Sequence, residues 1–445
     1  MAGPIESVAS ANNSPLLDSA IPLLTELSTG YPLNRMAVLT ALLWLWDLTL
    51  YVLWDYPLLH PRGVTPATAR RHPPSQPTTT MNSKQFFKEV QGAAVIKHGV
   101  LRRYLRVFVS KVGSTARGGK VYYLDGFAGP GRYTDGTPGS PALAIQTADA
   151  LAEIRDLQGI CVEADAETFG ELSDLLSDHP NWTAVNEPLE ACLPRLLDTI
   201  GDDSPLFVFL DPFGLQAPFD LVADVLRRVQ RGTGPTELLL NFSLPGFRRN
   251  AGHLTSDKEY PARSTFVARV DERLGGTWWQ DIWRTEASDR ERQVAEEYLR
   301  RLRLAGGVGW GWFMTPVSDR WEGPPSYLLM FLSRHRDGLW AFNESLSLAR
   351  EDFMRFQGRG ASDAQGQLFT EADEWVDEIT RNIEHLLDNA TSLTPQDNLG
   401  GVLGGALGMA REKHIRAAIK RLYEAGRVEP GPRGQDIPTL RLRRP

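Results

Sequence analysis

Residues 121–131 read VYYLDGFAGPG and continue as RYTDGTPGSPALA to residue 144. Val121, Tyr122, Tyr123 and Leu124 form a short run of β-favouring, apolar residues. The run stops at an acid, Asp125, and opens into a loop carrying Gly126, Gly129 and Gly131. Ser140 and Pro141 stand where an N-cap and a first helical residue belong, ahead of an apolar helix. Buried strand, glycine turn and helix start together make the nucleotide-cradling corner of a doubly wound α/β sheet. Glycine lets the backbone approach a ligand where a Cβ would clash.

Working outward, the same alternation repeats. Residues 141–156 read as a helix, then Gly159 to Val162 as a strand ending in Glu163. A carboxylate at the end of the second strand can take both hydroxyls of a ribose, although Asp165 beside it reads as a helix cap. A helix over 166–178, a strand at Trp182–Val185 followed by Asn186, and a helix at Leu189–Ile200 come next. Residues 206–215, LFVFLDPFGL, form a buried strand ending in Asp211-Pro212-Phe213. A helix over 218–230 and a strand over 237–242 follow. Five such units predict a parallel α/β domain, with ligands at the carboxyl ends of its strands. Two further strands at Trp312–Val317 and Tyr327–Ser333 are predicted to complete a Rossmann-like seven-stranded sheet with an antiparallel pair. Ahead of them, residues 247–305 read as a charged helical insertion. Its Trp278, Trp279 and Trp283 suit internal packing better than stacking on a base.

Ahead of the sheet, Phe87, Val90, Ala94, Leu101, Leu105 and Phe108 recur at helical spacing over 82–109, with Lys97 and His98 inside. Spacing alone makes Lys97 a solvated lysine and His98 a half-buried histidine. Residues 1–80 differ from the rest. Residues 36–54 are apolar apart from Asp47 and about 19 long, near the lower limit for a membrane span, and a proline- and threonine-rich linker follows. The segment is either a membrane anchor or interaction helix, or upstream sequence ahead of a start at Met81. The second is favoured, because everything after Met81 reads as a self-sufficient soluble protein.

After residue 360 the composition shifts. A polar linker at 361–367, a helix over 369–389, a glycine-rich turn over 400–408 and a helix over 411–425 lead to a hairpin formed by 427–429 and 439–442. Helices followed by a hairpin predict a winged helix over 368–445, behind an 81–358 sheet domain. Residues 411–445 hold ten Lys/Arg and four Asp/Glu, a net of +6 on a chain whose total is −7. Arg416, Lys420 and Arg421 are candidates for nucleic-acid phosphates. A dimerisation or protein-docking module with a basic face is the alternative.

Overall composition narrows the classes. With 445 residues and 42% hydrophobic content there is room for two or three domains with a core. The acidic balance excludes a chain that coats nucleic acid with positive charge. Cys161 and Cys192 sit in apolar runs without metal-like spacing, which predicts reduced thiols, a cytoplasmic protein and no metal.

Four pieces resemble one family, the three-Cys-motif partner proteins (TcmP). They are KHGVLRRYL at 97–105, YLDGFAGPGRYTDGTPGSP at 123–141, VEAD at 162–165 and LDPFGL at 210–215. The tail is similar to the winged helix that often ends such proteins, and residues 1–80 are uncovered. That family resembles class I S-adenosylmethionine-dependent methyltransferases. The resemblance implies S-adenosylmethionine as cofactor, with Asp125, Gly126, Gly129 and Gly131 at its methionine end and Phe127 among the cofactor-binding residues. It also implies Glu163 on the ribose, Asn186 among the cofactor-binding residues, Lys97 and His98 near the cofactor, and a three-Cys-motif protein as partner. Asp211-Pro212-Phe213 resembles the (D/N)PP(Y/F) signature of amino-methyltransferases without its second proline. There the acid and proline carbonyl accept hydrogen bonds from an acceptor amine, and the aromatic ring stacks on a base. The resemblance thus points to a base amine of DNA or RNA as acceptor, with a non-catalytic cofactor-binding adaptor as the alternative. A nicotinamide oxidoreductase fits poorly, since the loop is not GxGxxG and Glu163 lies about 32 residues past Gly131, not about 20.

Overall fold

The computed structural model describes residues 92–445, except 115, 117, 118, 257, 259, 286, 321, 322 and 358–360, and gives backbone alone over 361–372. The apolar segment 36–54, its linker and the start of the 82–109 helix lie outside the described residues. Among the described residues no helix is long and apolar enough to cross a membrane.

The chain runs α1 (Gly92–Val112), β1 (Lys120–Asp125), α2 (Ser140–Leu151), β2 (Asp156–Val162), α3 (Ala166–Leu176), β3 (Trp182–Val185), α4 (Leu189–Ile200), β4 (Leu206–Leu210), α5 (Phe219–Arg231) and β5 (Thr236–Ser243). Helices α6 (Leu244–Ala251), α7 (Arg263–Leu274), α8 (Trp279–Arg284) and α9 (Arg290–Gly306) form the predicted insertion. Then come β6 (Gly311–Val317), β7 (Tyr327–Ser333) and α10 (Arg336–Phe356). The seven strands make one sheet in the order β3-β2-β1-β4-β5-β7-β6. Strands β1 to β5 pair in parallel, whereas β7 runs antiparallel to β5 and β6. All five residues of β4 are buried, as a central strand covered on both faces requires. The strand order reverses between β1 and β4, so the carboxyl ends of these two strands border the switch-point crevice.

The insertion packs as expected. Trp279 and Trp283 are buried, with ring centroids 6.0 and 5.3 Å from Phe247 of α6. A Cβ on Gly246 would fall 2.7 Å from Gly214 Cα, so α6 rests directly on the turn that follows β4.

Beyond α10 the sequence reading needs three corrections. Residues 361–367 are not a linker but the first turns of a long helix, α11 (Ala361–Asp388). The stretch lacks an apolar stripe, yet it holds alanines and glutamines and no proline, which suffices to extend an amphipathic helix. The glycine-rich 400–408 segment is mostly helical, α12 (Leu399–Leu403) followed by a 3₁₀ turn (Gly404–Ala406). After α13 (Glu412–Glu424), the expected hairpin shrinks to isolated antiparallel bridges, Glu429 with Arg443 and Leu393 with Leu442. Pro430, Pro432 and Pro438 lack the N–H groups that a longer ladder needs.

This C-terminal unit is bonded to α10. Asn343 donates to Ala410 O at 2.9 Å and accepts from Gly408 N at 2.8 Å, while Ser347 Oγ donates to Met409 O at 2.6 Å. On its other side α10 packs against α1, closely enough that a Cβ on Gly99 would lie 2.9 Å from Ala349 Cβ. Gly99→Leu should therefore destabilise the fold by about 1–3 kcal/mol through overpacking. Urea denaturation with an unchanged midpoint would show that the two helices part freely.

Candidate functional site

The glycine loop is held from below by Asp125. Its carboxylate is wholly buried, accepting from Tyr123 Oη at 2.9 Å and from Phe127 N at 3.3 Å. Burial pushes it up to about 6, partly offset by hydrogen bonds from Ser140, Tyr123 and the Phe127 N–H. Ser140 therefore braces the strand end, and the N-cap position of α2 falls to Gly139. Asp125 lies beneath the loop, sealed from solvent, where the resemblance had it lining a ligand. Gly126 is a packing residue, since a Cβ there would meet Leu210 Cδ2 at 2.5 Å and Leu189 Cδ2 at 2.9 Å. Gly129 and Gly131 have φ of +61° and +79°, the left-handed region that glycine enters at least cost. Phe127 is partly buried against the core.

From above, the loop is held by Glu163. Its Oε2 accepts from Gly129 N at 3.0 Å and its Oε1 from Asp165 N at 2.8 Å. Asp165 is a helix cap, accepting from Thr168 N at 2.9 Å. Asn186 Nδ2 donates to the backbone oxygen of Glu163 at 2.8 Å and so ties the end of β3 to the end of β2.

Across the switch point stands Asp211. Lys97 Nζ lies 2.5 Å from its Oδ2, and Asn241 Nδ2 donates to its Oδ1 at 2.6 Å. The pair is poorly solvated, with side chains 6% exposed for Lys97 and 18% for Asp211. Lys97 is thus neither solvated nor separate from the acid, and the structure brings together two residues that the sequence placed in different roles. Its ammonium also lies 5.5 Å from the centre of the Tyr327 ring. His98 is half-buried, with its ring 5.8 Å from that of Tyr133 in an edge-on arrangement. Desolvation, then the Lys97 charge, lower His98 to about 4 against an opposing pull from Asp211. Pro212 is buried, and Phe213 is half-exposed at 50%.

Sequence reasoning missed Asn241, Tyr133 and Tyr327. The lone polar residue in the apolar run of β5 was a usable signal for Asn241, because a buried amide needs a partner. Nothing in the sequence pointed to Tyr327.

The three basic candidates lie on α13, and each has an internal acid. Arg416 pairs with Glu412 at 2.8 Å and also donates to Pro432 O at 2.9 Å. Lys420 lies 3.7 Å from Glu424, and Arg421 pairs with Asp377 of α11. Across 368–445 there are 11 Lys/Arg against 12 Asp/Glu, so the basic excess of the tail is cancelled by α11.

No family model and no curated protein matches the chain. Solved structures to which it is similar include the plantazolicin methyltransferase BamL in complex with a triazolic desmethylPZN analog and SAH. The identity is 9%, over 54% of this chain and 85% of that one, with a TM-score of 0.30. Another is a precorrin-6y C5,15-methyltransferase from Geobacter metallireducens GS-15, at 14% identity over 52% and 86% of the two chains and a TM-score of 0.26. A third is an rRNA methylase from Streptococcus thermophilus, at 12% identity over 52% and 93% and a TM-score of 0.26.

Two measurements check this geometry. The His98 ring should stay neutral from pH 8 to pH 5 by NMR, and a midpoint near 6.5 would put it in solvent. Because its folded value lies below the ordinary one, its contribution to stability is intact above about 6.5 and is lost as the pH falls toward about 4. Lys97→Met should cost about 3 kcal/mol, the lower end for stranding a buried charge, since Asp211 keeps some exposure. The double variant Lys97→Met, Asp211→Leu should recover much of that loss in urea unfolding; additive losses would mean that the two charges do not interact.

Proposed function

We propose that this chain is an S-adenosylmethionine-dependent methyltransferase of the three-Cys-motif partner type, working in the crevice between the glycine loop and the Asp211 turn. One contact supports this above the rest. Glu163 Oε2 sits 3.0 Å from Gly129 N, which sets the acid that ends β2 against the loop that follows β1. A carboxylate offers about four acceptor positions. Gly129 and Asp165 take two of those on Glu163, which leaves capacity for a ribose diol, so the residues fit the cofactor. The cofactor supplies an activated methyl group on a sulfonium when bound. The chain's own task is then alignment and exclusion of water, without a strong base or covalent nucleophile.

Asp211 suits the aligning part. Lys97 and Asn241 hold one oxygen each, and the lone pairs left over can accept from an N–H of the acceptor. Phe213, half-exposed beside it, supplies an aromatic ring at the same turn. These features support an amine acceptor on an aromatic base, with the Pro212 carbonyl as a second acceptor.

For the C-terminal unit, α11 to α13 and the Glu429–Arg443 bridge support a winged-helix reading. Its near-neutral charge and its paired Arg416 and Arg421 favour docking of a protein partner over a phosphate backbone.

Calorimetry on the 445-residue chain tests the proposal. S-adenosylhomocysteine should bind with a Kd of about 1 μM to 1 mM, the usual range of substrate affinities, and NAD should not. Gly129→Val should abolish binding, because valine resists the left-handed backbone there. Asp211→Ala should keep the affinity within about tenfold, a difference of about 1.4 kcal/mol, while removing transfer. A wild-type chain that fails to bind the cofactor product sinks the reading.

A further inference from the structure

Glu237, the second residue of β5, is a carboxyl buried among neutral groups and only 5% exposed. Tyr104 Oη of α1 donates to its Oε2 at 2.6 Å, and Ser333 Oγ of β7 lies 2.7 Å from its Oε1. A Cβ on Gly338 would fall 2.6 Å from that same Oε1, so the backbone of α10 closes another side. The rings of Phe207, Phe331 and Phe342 pack around Tyr104, and Phe207 is also the β4 neighbour of Glu237. Among the described residues, Asp337 of α10 is the further charged group that acts on this cluster. It does so through the Tyr104 hydroxyl, and it is paired with Lys111 at 3.6 Å. No cation offsets the cost of ionising Glu237: burial pushes its carboxyl up to about 7, against the pull of the two hydroxyls.

Ser333 serves either protonation state of that carboxyl. Its Oγ accepts from His335 N at 3.0 Å and has a single proton to give. Two acceptors compete for that proton, Glu237 Oε1 at 2.7 Å and His335 O at 3.2 Å. When the carboxyl is ionised the hydroxyl points at Oε1, because a carboxylate only accepts. When Oε1 carries a proton it donates to Ser333 Oγ, and the hydroxyl turns to His335 O. His335 is the N-cap of α10, and its carbonyl takes the Gly338 and Leu339 N–H groups that open the helix. The first turn also carries Arg336 and Asp337, whose partners Asp397 and Gln396 belong to the C-terminal unit. The cluster thus lies where the sheet, α10 and that unit join.

We infer that Glu237 and Ser333 form a proton-operated latch on the start of α10. With Glu237 protonated, Ser333 secures the His335 carbonyl. With Glu237 ionised, its proton released to solvent, Ser333 turns away and the first turn of α10 loosens. The folded chain then holds a proton that the unfolded chain has released. Its contribution to stability is full below the ordinary glutamate range and is lost as the pH rises through about 7. The latch does not rest on the methyltransferase reading, since its groups lie at the amino end of β5, away from the crevice at the carboxyl ends of the parallel strands.

Infrared spectroscopy of the full chain tests the proton, and amide hydrogen exchange tests the latch. The wild type minus Glu237→Gln difference should show a protonated-carboxyl C=O band at about pH 6 that is gone by about pH 9. In urea, the unfolding constant of the wild type should rise relative to that of Glu237→Gln by up to about tenfold per pH unit, between about 4.5 and about 7. Exchange at Gly338 and Leu339, corrected for its intrinsic pH dependence, should quicken about tenfold in the wild type from about pH 6 to about pH 8. It should stay slow in Glu237→Gln and be equally fast at both pH values in Ser333→Ala. A missing band overturns the proton site and the latch with it. A band whose loss leaves the exchange of Gly338 and Leu339 unchanged, or a pH response that survives Ser333→Ala, overturns the latch. Should Glu237→Gln fail to fold, Tyr104→Phe replaces it: losing that donor should move the midpoint of the band to higher pH, and an unmoved midpoint overturns the assignment to Glu237.

Discussion

The ion pair between Lys97 and Asp211 is the constraint on which the rest of the crevice depends. Removing two charges from water costs several kcal/mol per ion, and mutual attraction offsets this only where geometry and further hydrogen bonds are good. Here the carboxylate has a partner on each oxygen, Lys97 from α1 and Asn241 from β5. One side chain at the tip of β4 therefore links three elements. Since α1 packs tightly on α10 at Gly99, and α10 is bonded to the 408–412 segment, a continuous chain of contacts runs from Asp211 through Lys97 to the C-terminal unit.

On the other side of the switch point, two acids hold the glycine loop for different reasons. Asp125 is buried beneath it and takes hydroxyl and amide donors, which fixes how the strand leaves the sheet. Glu163 stands beside it, half-buried, taking the Gly129 N–H while keeping acceptor capacity. With the N–H groups of Gly126, Phe127, Ala128 and Gly129 already bonded, this part of the loop is preorganised and little reorganisation is left for ligand binding. The insertion meets this end of the sheet through α6, which rests on the Gly214 turn after β4.

The C-terminal unit illustrates how charge along a chain differs from charge in space. Its last 35 residues hold the basic excess, but α11 carries eight acids and one arginine, and the two pack together. Pairs such as Arg421 with Asp377 and Arg427 with Glu384 join them. Most are exposed and contribute little to stability. Their effect is on potential: they lower the field that a phosphate backbone would meet.

Much of the architecture was legible in sequence because it rests on local periodicity. Strand β3, helix α4 and strand β7 fall where their apolar runs begin and end, and the glycine loop follows β1 as its residue types require. Errors gathered beyond residue 360, where polar but helix-competent residues and clustered glycines carry no apolar rhythm. Residue types and their order by themselves determined the α/β alternation, the positions of the acids at the ends of β1, β2 and β4, and the left-handed glycines. Tertiary structure alone decided which of those acids is sealed beneath the loop and which faces the crevice. It also decided that Lys97 neutralises Asp211 and that Asn241 completes the clamp. The physical reason is that burial and pairing depend on elements distant in the chain: Lys97 and Asp211 are 114 residues apart, and no local pattern specifies their 2.5 Å contact.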